Sequence, residues 1–562
     1  MNVRLTISAV AFLIAVSAAA IAQEPADLVL RNGKIVTVDS NNPTAQALAA
    51  RDGLVIAIGS DAGVAPYIGS TTRVIDLAGS LAIPGFIEGH AHFMEIGGAQ
   101  LQLELGVAKN WDDIVQDVKN AAEESEPGVW IAGRGWHQEK WDSVPEDAVD
   151  GIPTHHSLSA VSPDNTVVLE HASGHASFVN AKAMELAGVD AKTPDPPGGT
   201  IVKDAVGNPT GMLRETAQQL VRAPSDWVES VERRKVELAS REILSKGVTS
   251  FQDAGSSFAT IDLLKAMAEE GNLDLRLWVM IGESNDALAL ELPHYKMINV
   301  GDQRLTVRAI KRSVDGALGS HGAWLLEPYT DMPDTSGLNT TLPDVIADTA
   351  ELAMRHGFQL CVHAIGDRGN RETLDLYERA FEAHPDKTDL RWRIEHSQHL
   401  HPDDIPRFGA LGVVASMQGI HCTSDGPWVE PRLGAERAQH GAYPWRALLD
   451  TGAVVSNGTD APVEDVDPIE SFYATVTRRM KANGELFYPE QRMTREEALY
   501  SYTLAGAWAA FEEDIKGSLE LGKLADVTVL SKDIMTVPEP EILEAKVLYT
   551  IVGGDVKYEA RR

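Results

Sequence analysis

The stretch Pro84-Gly-Phe-Ile-Glu-Gly-His90-Ala-His92 carries the clearest chemical content of the chain. Residues two apart on a strand face the same way, so the imidazoles of His90 and His92 can meet one cation. Further along, Lys311 stands in Val307-Arg-Ala-Ile-Lys311, and His363, His396 and Asp460 close Cys361-Val-His363, Ile394-Glu-His396 and Gly458-Thr-Asp460. With 17 histidines in the chain, one His-x-His pair carries little weight, and His399-Leu-His401 is a second. Position separates them: His90 and His92 end an apolar strand pattern, whereas His399 and His401 fall in a loop containing Pro and Asp. Four histidines, a lysine and an aspartate at strand ends would be costly to bury unsatisfied. The set predicts a metal centre.

Eight apolar, β-branched runs would position these groups: Phe86–Phe93, Ser250–Gly255, Leu275–Gly282, Leu305–Gly316, Phe358–Asp367, Arg391–Ser397, Val413–His421 and Val454–Pro462. Most are followed by a helical pattern, and eight strand-plus-helix units indicate an α/β fold of the (β/α)8 TIM-barrel type, with chemistry at the strand ends. The interval from Phe93 to Ser250 is far longer than one loop and helix, so an inserted subdomain is expected at about 95–245. It contains Gly133-Arg-Gly-Trp-His137 and His171-Ala-Ser-Gly-His175. Short β-rich runs recur at both chain ends. Asp27–Leu30, Lys34–Val38 and Leu54–Ile58, separated by Asn32-Gly33 and Asp52-Gly53 turns, read as a small antiparallel sheet, and Asp526–Leu530 and Val547–Val552 match them. The expected division is a discontinuous β-sandwich from 23–84 and 511–562, around a barrel from 85–510.

The 562 residues, 44% hydrophobic and 23% charged, supply ample core for this architecture. A formal net charge of -33 excludes a nucleic-acid partner held by phosphate contacts and disfavours anionic lipid. Residues 1–22 read as a signal peptide, with Arg4 before an apolar run and Ala20-Ile-Ala22 as the cleavage site, so a periplasmic or secreted protein without a lasting membrane anchor is expected. Two cysteines, Cys361 and Cys422, are too few for a disulfide scaffold. Gly-rich phosphate loops and a Gly-x-Ser-x-Gly elbow are not evident.

Taken in order, Pro84–His92, Lys311, His363, His396 and Asp460 resemble the amidohydrolase superfamily. Gly133–Trp136, Gly174–Asn180, His363–Asp367 and Leu521–Asp526 are similar to its amidohydrolase-3 branch, which includes N-substituted formamide deformylases. The resemblance covers nearly the whole mature chain. It implies a binuclear centre of two divalent ions, zinc being the expected species, with His90, His92 and Asp460 on one metal and His363 and His396 on the other. Lys311 would be carboxylated and bridge them, since a carbamate offers two oxygens where an ammonium has no lone pair. Arg312 departs from the expected apolar residue, and strand alternation turns it outward. Lys311 and Asp460 then carry catalysis, Asp460 as general base and then acid.

The implied activity is hydrolysis of a carbon–nitrogen bond other than a peptide bond, in a small amide, N-acyl or N-formyl compound. His321 and His421 at strand-end loops, and Trp136 and His175 in the insertion, are candidate substrate contacts. Trp130, Trp136, Trp141, Trp324 and Trp428 could wall a pocket for a hydrophobic substrate. Alternatives are a mononuclear deaminase or cyclic-amide hydrolase of the same superfamily, or a non-catalytic ligand-binding relative. Self-association as a homo-oligomer is compatible with all of them.

Overall fold

The computed structural model describes residues 23–149, 151–221 and 229–561, so the leader sequence expected at 1–22 lies outside the described residues. Eight parallel strands make the barrel within a nine-stranded sheet, the short Met297–Asn299 pairing antiparallel on the fourth of them: β1 (Phe86–Ala91), β2 (Val248–Ser256), β3 (Arg276–Ile281), β4 (Leu305–Ser313), β5 (Gln359–Ala364), β6 (Arg393–His396), β7 (Val414–Gln418) and β8 (Val455–Gly458). Each pairs in parallel with the next. The circuit closes where Asp460 N–H donates to His90 O and His92 N–H donates to Ala461 O, both at 2.8 Å. The fold is a (β/α)8 barrel. Burial on both faces explains why β3 and the middle of β5 read as apolar runs.

The outer helices follow from local sequence. The helix Pro343–His356 starts with Pro at its first turn and stops at Gly357, whose φ of 68° is the left-handed C-terminal cap that glycine adopts freely. Its buried Ile346, Thr349, Ala350, Ala353 and Met354 recur at three- and four-residue spacing, the stripe that packs on the sheet. Arg312 points outward as alternation requires, donating to Thr349 Oγ1 of that helix at 2.9 Å and to Asn285 Oδ1 at 2.7 Å.

Strands from both chain ends form a sandwich beside the barrel. One sheet contains Leu28–Arg31, Ala47–Arg51, Leu54–Gly59 and Arg73–Asp76. In the other, Leu81–Pro84 pairs antiparallel with Val527–Leu530. Leu28, Leu30, Leu48 and Ile75 of the first sheet pack on Ile35, Val527, Val529 and Ile551 of the second. Asp52-Gly53 is a hairpin turn with both φ values positive (51° and 79°). Asn32-Gly33 differs from the expected hairpin: it carries the chain from one sheet to the other, because Leu28–Arg31 and Lys34–Val36 belong to different sheets.

The insertion is a six-stranded sheet built from Leu103–Glu104, Trp130–Trp136, Thr166–His171, Ala176–Val179, Gly199–Lys203 and Pro209–Glu215. It is narrower than the 95–245 expected. The helix Glu229–Ser245 buries Val236, Ala239 and Ile243 in the barrel's own core, and it packs so closely on Phe93–Ala99 that a Cβ on Gly97 would fall 2.0 Å from Lys235 O. That helix belongs to the barrel. Among the described residues, no helix is long and apolar enough to cross a membrane.

Candidate metal centre

The ends of β1, β4, β5, β6 and β8 bring the six predicted groups to one mouth of the barrel. His90 Nε2 and His92 Nε2 stand 3.4 and 3.2 Å from Asp460 Oδ1. The rings of His90 and His396 are 4.6 Å apart, and those of His363 and His396 are 4.4 Å apart. Ligand atoms of His90, His92 and Asp460 lie within 4.8 Å of one another, as do those of His396, His421 and Asp460. Asp460 and His396 take left-handed backbone conformations, φ 60° and 76°, which cost of order 1–3 kcal/mol each and are tolerated where the surroundings fix them. For His396 the turn matters. Alternation puts Arg393 and Glu395 inside the barrel and would point the next residue outward; the positive φ swings His396 back into the mouth.

Partners on the far side of each ring decide which nitrogen faces inward. His90 Nδ1 is bonded to Glu395 Oε2, leaving Nε2 toward Asp460. His396 Nδ1 donates to Gln418 Oε1 at 2.8 Å. His363 Nε2 lies 3.6 Å from Asp315 Oδ1, beyond hydrogen-bond distance. A metal-ligating histidine tied as His90 and His396 are has a fixed tautomer and ring orientation. Glu395 is gripped in turn by Arg393, whose Nε and Nη2 donate to its two oxygens at 2.7 and 2.9 Å, while Nη2 also reaches Gly89 O and Ser416 Oγ. Burial alone would raise the Glu395 pKa, but Arg393 and His90 outweigh it and hold the carboxylate ionised. Removing one member of so buried a pair typically costs about 3–5 kcal/mol. Glu88, pushed up to about 8 by burial, accepts from Thr459 N at 2.6 Å and Thr459 Oγ1 at 3.0 Å, which sews β8 to β1 beside Asp460.

The donor set fits a divalent ion. His90 Nε2, His421 Nε2 and Asp460 Oδ1 are buried without a hydrogen-bond partner, a costly state that coordination or a coordinated neighbour relieves. Burial keeps His363 and His396 well below the usual imidazole range, so both are neutral and offer a lone pair. Burial would raise Asp460, but the adjacent imidazoles of His90 and His92 hold it ionised. Lys311 is lowered by burial, and its charge is felt by His92, His363 and His396.

Above the cluster lies a cavity between the barrel mouth and the insertion, lined by His175, His363, His396, His421, Trp428 and Asp460 among others. His421 Nδ1 contacts Gln398 Nε2 at 3.0 Å, and its Nε2 lies 3.9 Å from Asp460 Oδ2. His175 and His421 are thus in the wall. Two other expected substrate contacts are not. Trp136 is fully buried in the insertion core, donating its indole N–H to Leu169 O at 2.9 Å and stacking on Trp141. His321 turns to Asp331 at 3.3 Å and lines a neighbouring cavity with Arg432 and Met332. The tryptophan-walled pocket is corrected likewise. Trp130 and Trp141 pack inside the insertion and Trp324 stacks under Arg368, so of the five only Trp428 reaches the cavity. Much of the wall is polar: His137, Lys140, Ser173, Ser320, Gln398 and Asp425 all line it.

Sequence reasoning missed Glu395, Arg393, Asp315, Gln418 and Glu88. Alternation carried a signal for two of them, since Arg393 and Glu395 are two apart on a strand otherwise buried. Asp315 lies beyond the end of β4 and is recognisable only from what it holds, the N–H groups of Trp324, Ile365 and Gly366 at 2.9, 3.0 and 2.7 Å.

A (β/α)8 barrel with imidazoles and a carboxylate converging at the carboxyl ends of its strands defines a class of metal-site hydrolase scaffolds. Residues 73–558 match the model of the amidohydrolase family, and the chain belongs to that family. It is 34% identical to Protein LONG AFTER FAR-RED 3 of Arabidopsis thaliana, over 95% of this chain and 92% of the relative. With the N-substituted formamide deformylase of Arthrobacter pascens it shares 28% identity over 95% of this chain and 98% of the other. The crystal structure of an uncharacterized metal-dependent hydrolase from Pyrococcus furiosus superposes with a TM-score of 0.70 at 29% identity, covering 91% of this chain and all of that one.

Proposed function

We propose that the protein is an exported, metal-dependent amidohydrolase that cleaves the carbon–nitrogen bond of a small non-peptide amide, N-acyl or N-formyl compound. The observation that carries this reading is the convergence of His90, His92 and Asp460 on one point beside His363 and His396, with buried ring nitrogens and a carboxylate oxygen left unpaired. Similarity to a formamide deformylase along nearly the whole chain supports the bond type.

His90, His92 and Asp460 would hold one ion, His363 and His396 a second, and a carboxylated Lys311 would serve both. Divalent ions there would supply Lewis acidity, drawing the pKa of water from roughly 15.7 to about 7 and polarising the substrate carbonyl. Asp460, ionised and with Oδ1 unpaired, accepts the proton of the attacking water and returns it to the leaving nitrogen. His175 and His421 flank the same space and orient the substrate. The insertion walls the mouth and limits bulk water around the reacting bond.

A panel of N-formyl amines, N-acyl amines and N-acyl amino acids, assayed with and without chelator, tests the reading. Chelator-sensitive turnover of at least one member and about two metal equivalents per chain are expected; no chelator-sensitive hydrolysis anywhere in the panel would sink it. A single-ion reading draws on the second grouping, His396, His421 and Asp460. About one equivalent per chain with Lys311→Ala still active would favour it. N-terminal sequencing of the exported protein checks the leader, with Gln23 expected as the first residue.

A further inference from the structure

Glu215 of the insertion is unused by the reading above, yet its setting is unusual. It ends the strand Pro209–Glu215 at φ 52° and ψ −128°, a region where glycine is at home and side-chain-bearing residues are strained. Its carboxylate is buried all the same, in a cradle that only glycines leave open: a Cβ on Gly316 or Gly322, in the loop after β4, would fall 2.4 or 2.5 Å from Glu215 Oε1. Side chain and backbone grip the same partner. Glu215 Oε2 accepts from His175 Nδ1 at 2.8 Å, and Glu215 N–H donates to His175 O at 2.8 Å. Glu215 Oε1 is buried with no hydrogen-bond partner. The histidine so held stands with its ring 5.2 Å from that of His363 and lines the cavity.

We propose that Glu215 is a positioning residue that fixes the His175 ring over the metal centre, so that the insertion contributes a substrate-contacting nitrogen and the active site is complete only when Glu215 is seated between Gly316 and Gly322. With Nδ1 committed to Glu215, Nε2 is the nitrogen left for the cavity. It meets the polar part of the substrate, the amide nitrogen or its substituent. A substrate with a hydrogen-bonding group next to the scissile bond is favoured over one flanked by hydrocarbon alone. This inference rests on the hydrolase reading above.

Glu215→Gly separates positioning from scaffolding, because it relieves the backbone while removing the carboxylate. With the N-formyl or N-acyl amine that the wild type turns over best, kcat/KM is expected to fall about 10- to 100-fold, the range for losing a partner that orients an active-site histidine. Melting temperature and metal content should be unchanged. In a His175→Ala background the same substitution should change kcat/KM by less than about threefold, since Glu215 acts only through that ring. The Nδ1–H resonance of His175 in 15N-histidine-labelled protein should be present in the wild type and absent from Glu215→Gly; this readout stands even if no panel compound is hydrolysed. Retained kcat/KM, metal loss in step with activity, or additive losses in the double variant would each overturn the proposal. Should Glu215→Gly fail to fold, Glu215→Gln, which keeps the shape and removes the charge, is measured in the same way.

Discussion

Asp460→Asn is expected to lower kcat/KM by about 10^4, the upper end of what general acid–base catalysis contributes, equivalent to roughly 5.5 kcal/mol of transition-state stabilisation. Three features place the loss at the upper end. Asp460 is held ionised by His90 and His92 against the raising effect of burial, so it is in its proton-accepting form at neutral pH. Its Oδ1 is buried without a hydrogen bond and its Oδ2 faces His421. Its backbone, locked by the N–H bond to His90 O at 2.8 Å, leaves a substituted side chain little freedom to recruit another geometry. Asparagine keeps the shape and one oxygen, so His90 and His92 should still retain metal. The measurement is kcat/KM on the best panel substrate together with metal content. A loss of less than about tenfold with metal retained would remove Asp460 from proton transfer and shift the role to another cavity group.

The same residues show how far sequence alone reaches. Barrel strands are legible because a parallel strand covered on both faces is mostly apolar, and a polar residue at or just past its end therefore stands out, as His90, His363 and Asp460 do. The residues that tune them were not. Glu395 matters through a ring three hundred residues away, His90, and Asp315 through three backbone N–H groups of two other loops. Neither link has a local pattern, because hydrogen bonding across the barrel depends on which strands become neighbours. Trp136 illustrates the opposite failure. A tryptophan amid polar insertion sequence can wall a pocket or fill a core, and only the acceptor for its N–H, Leu169 O, decides. At the sandwich, Asn32-Gly33 and Asp52-Gly53 look alike in sequence, yet one joins paired strands and the other crosses between sheets. Turn chemistry sets the bend, while the partner strand is chosen by which face of Leu28–Arg31 and Lys34–Val36 must be buried.

Lys311→Ala should reduce the metal content from about two to about one equivalent per chain and lower kcat/KM by at least about 100-fold, more than the loss of an outer partner would cause. The argument begins with charge. Lys311 lies near His363 and His396, which burial keeps neutral, and among the described residues its ammonium has no hydrogen-bond or ion-pair partner, although a buried lysine elsewhere in the chain, Lys516, is paired with Glu512 and Ser250. Burial lowers its pKa, which raises the share of neutral amine able to add carbon dioxide. Starting from the neutral amine, the addition forms one N–C bond and releases one proton; counted from the ammonium, two protons leave, and a cation without lone pairs becomes an anion with two oxygens. That product complements the positive charge which metals bring to His92, His363 and His396, the groups that feel Lys311 already. Native mass spectrometry of the wild type should show one added carbon dioxide, lost on acidification. A short carboxylate such as propionate, able to occupy the space vacated in Lys311→Ala, should restore part of both metal content and activity. Arg312→Ala serves as the neighbouring comparison: its guanidinium faces Thr349 and Asn285 outside the barrel, so it should affect stability and leave metal content alone. Two equivalents retained in Lys311→Ala, with kcat/KM within about tenfold of wild type, would rule out the bridging role and return the lysine to packing.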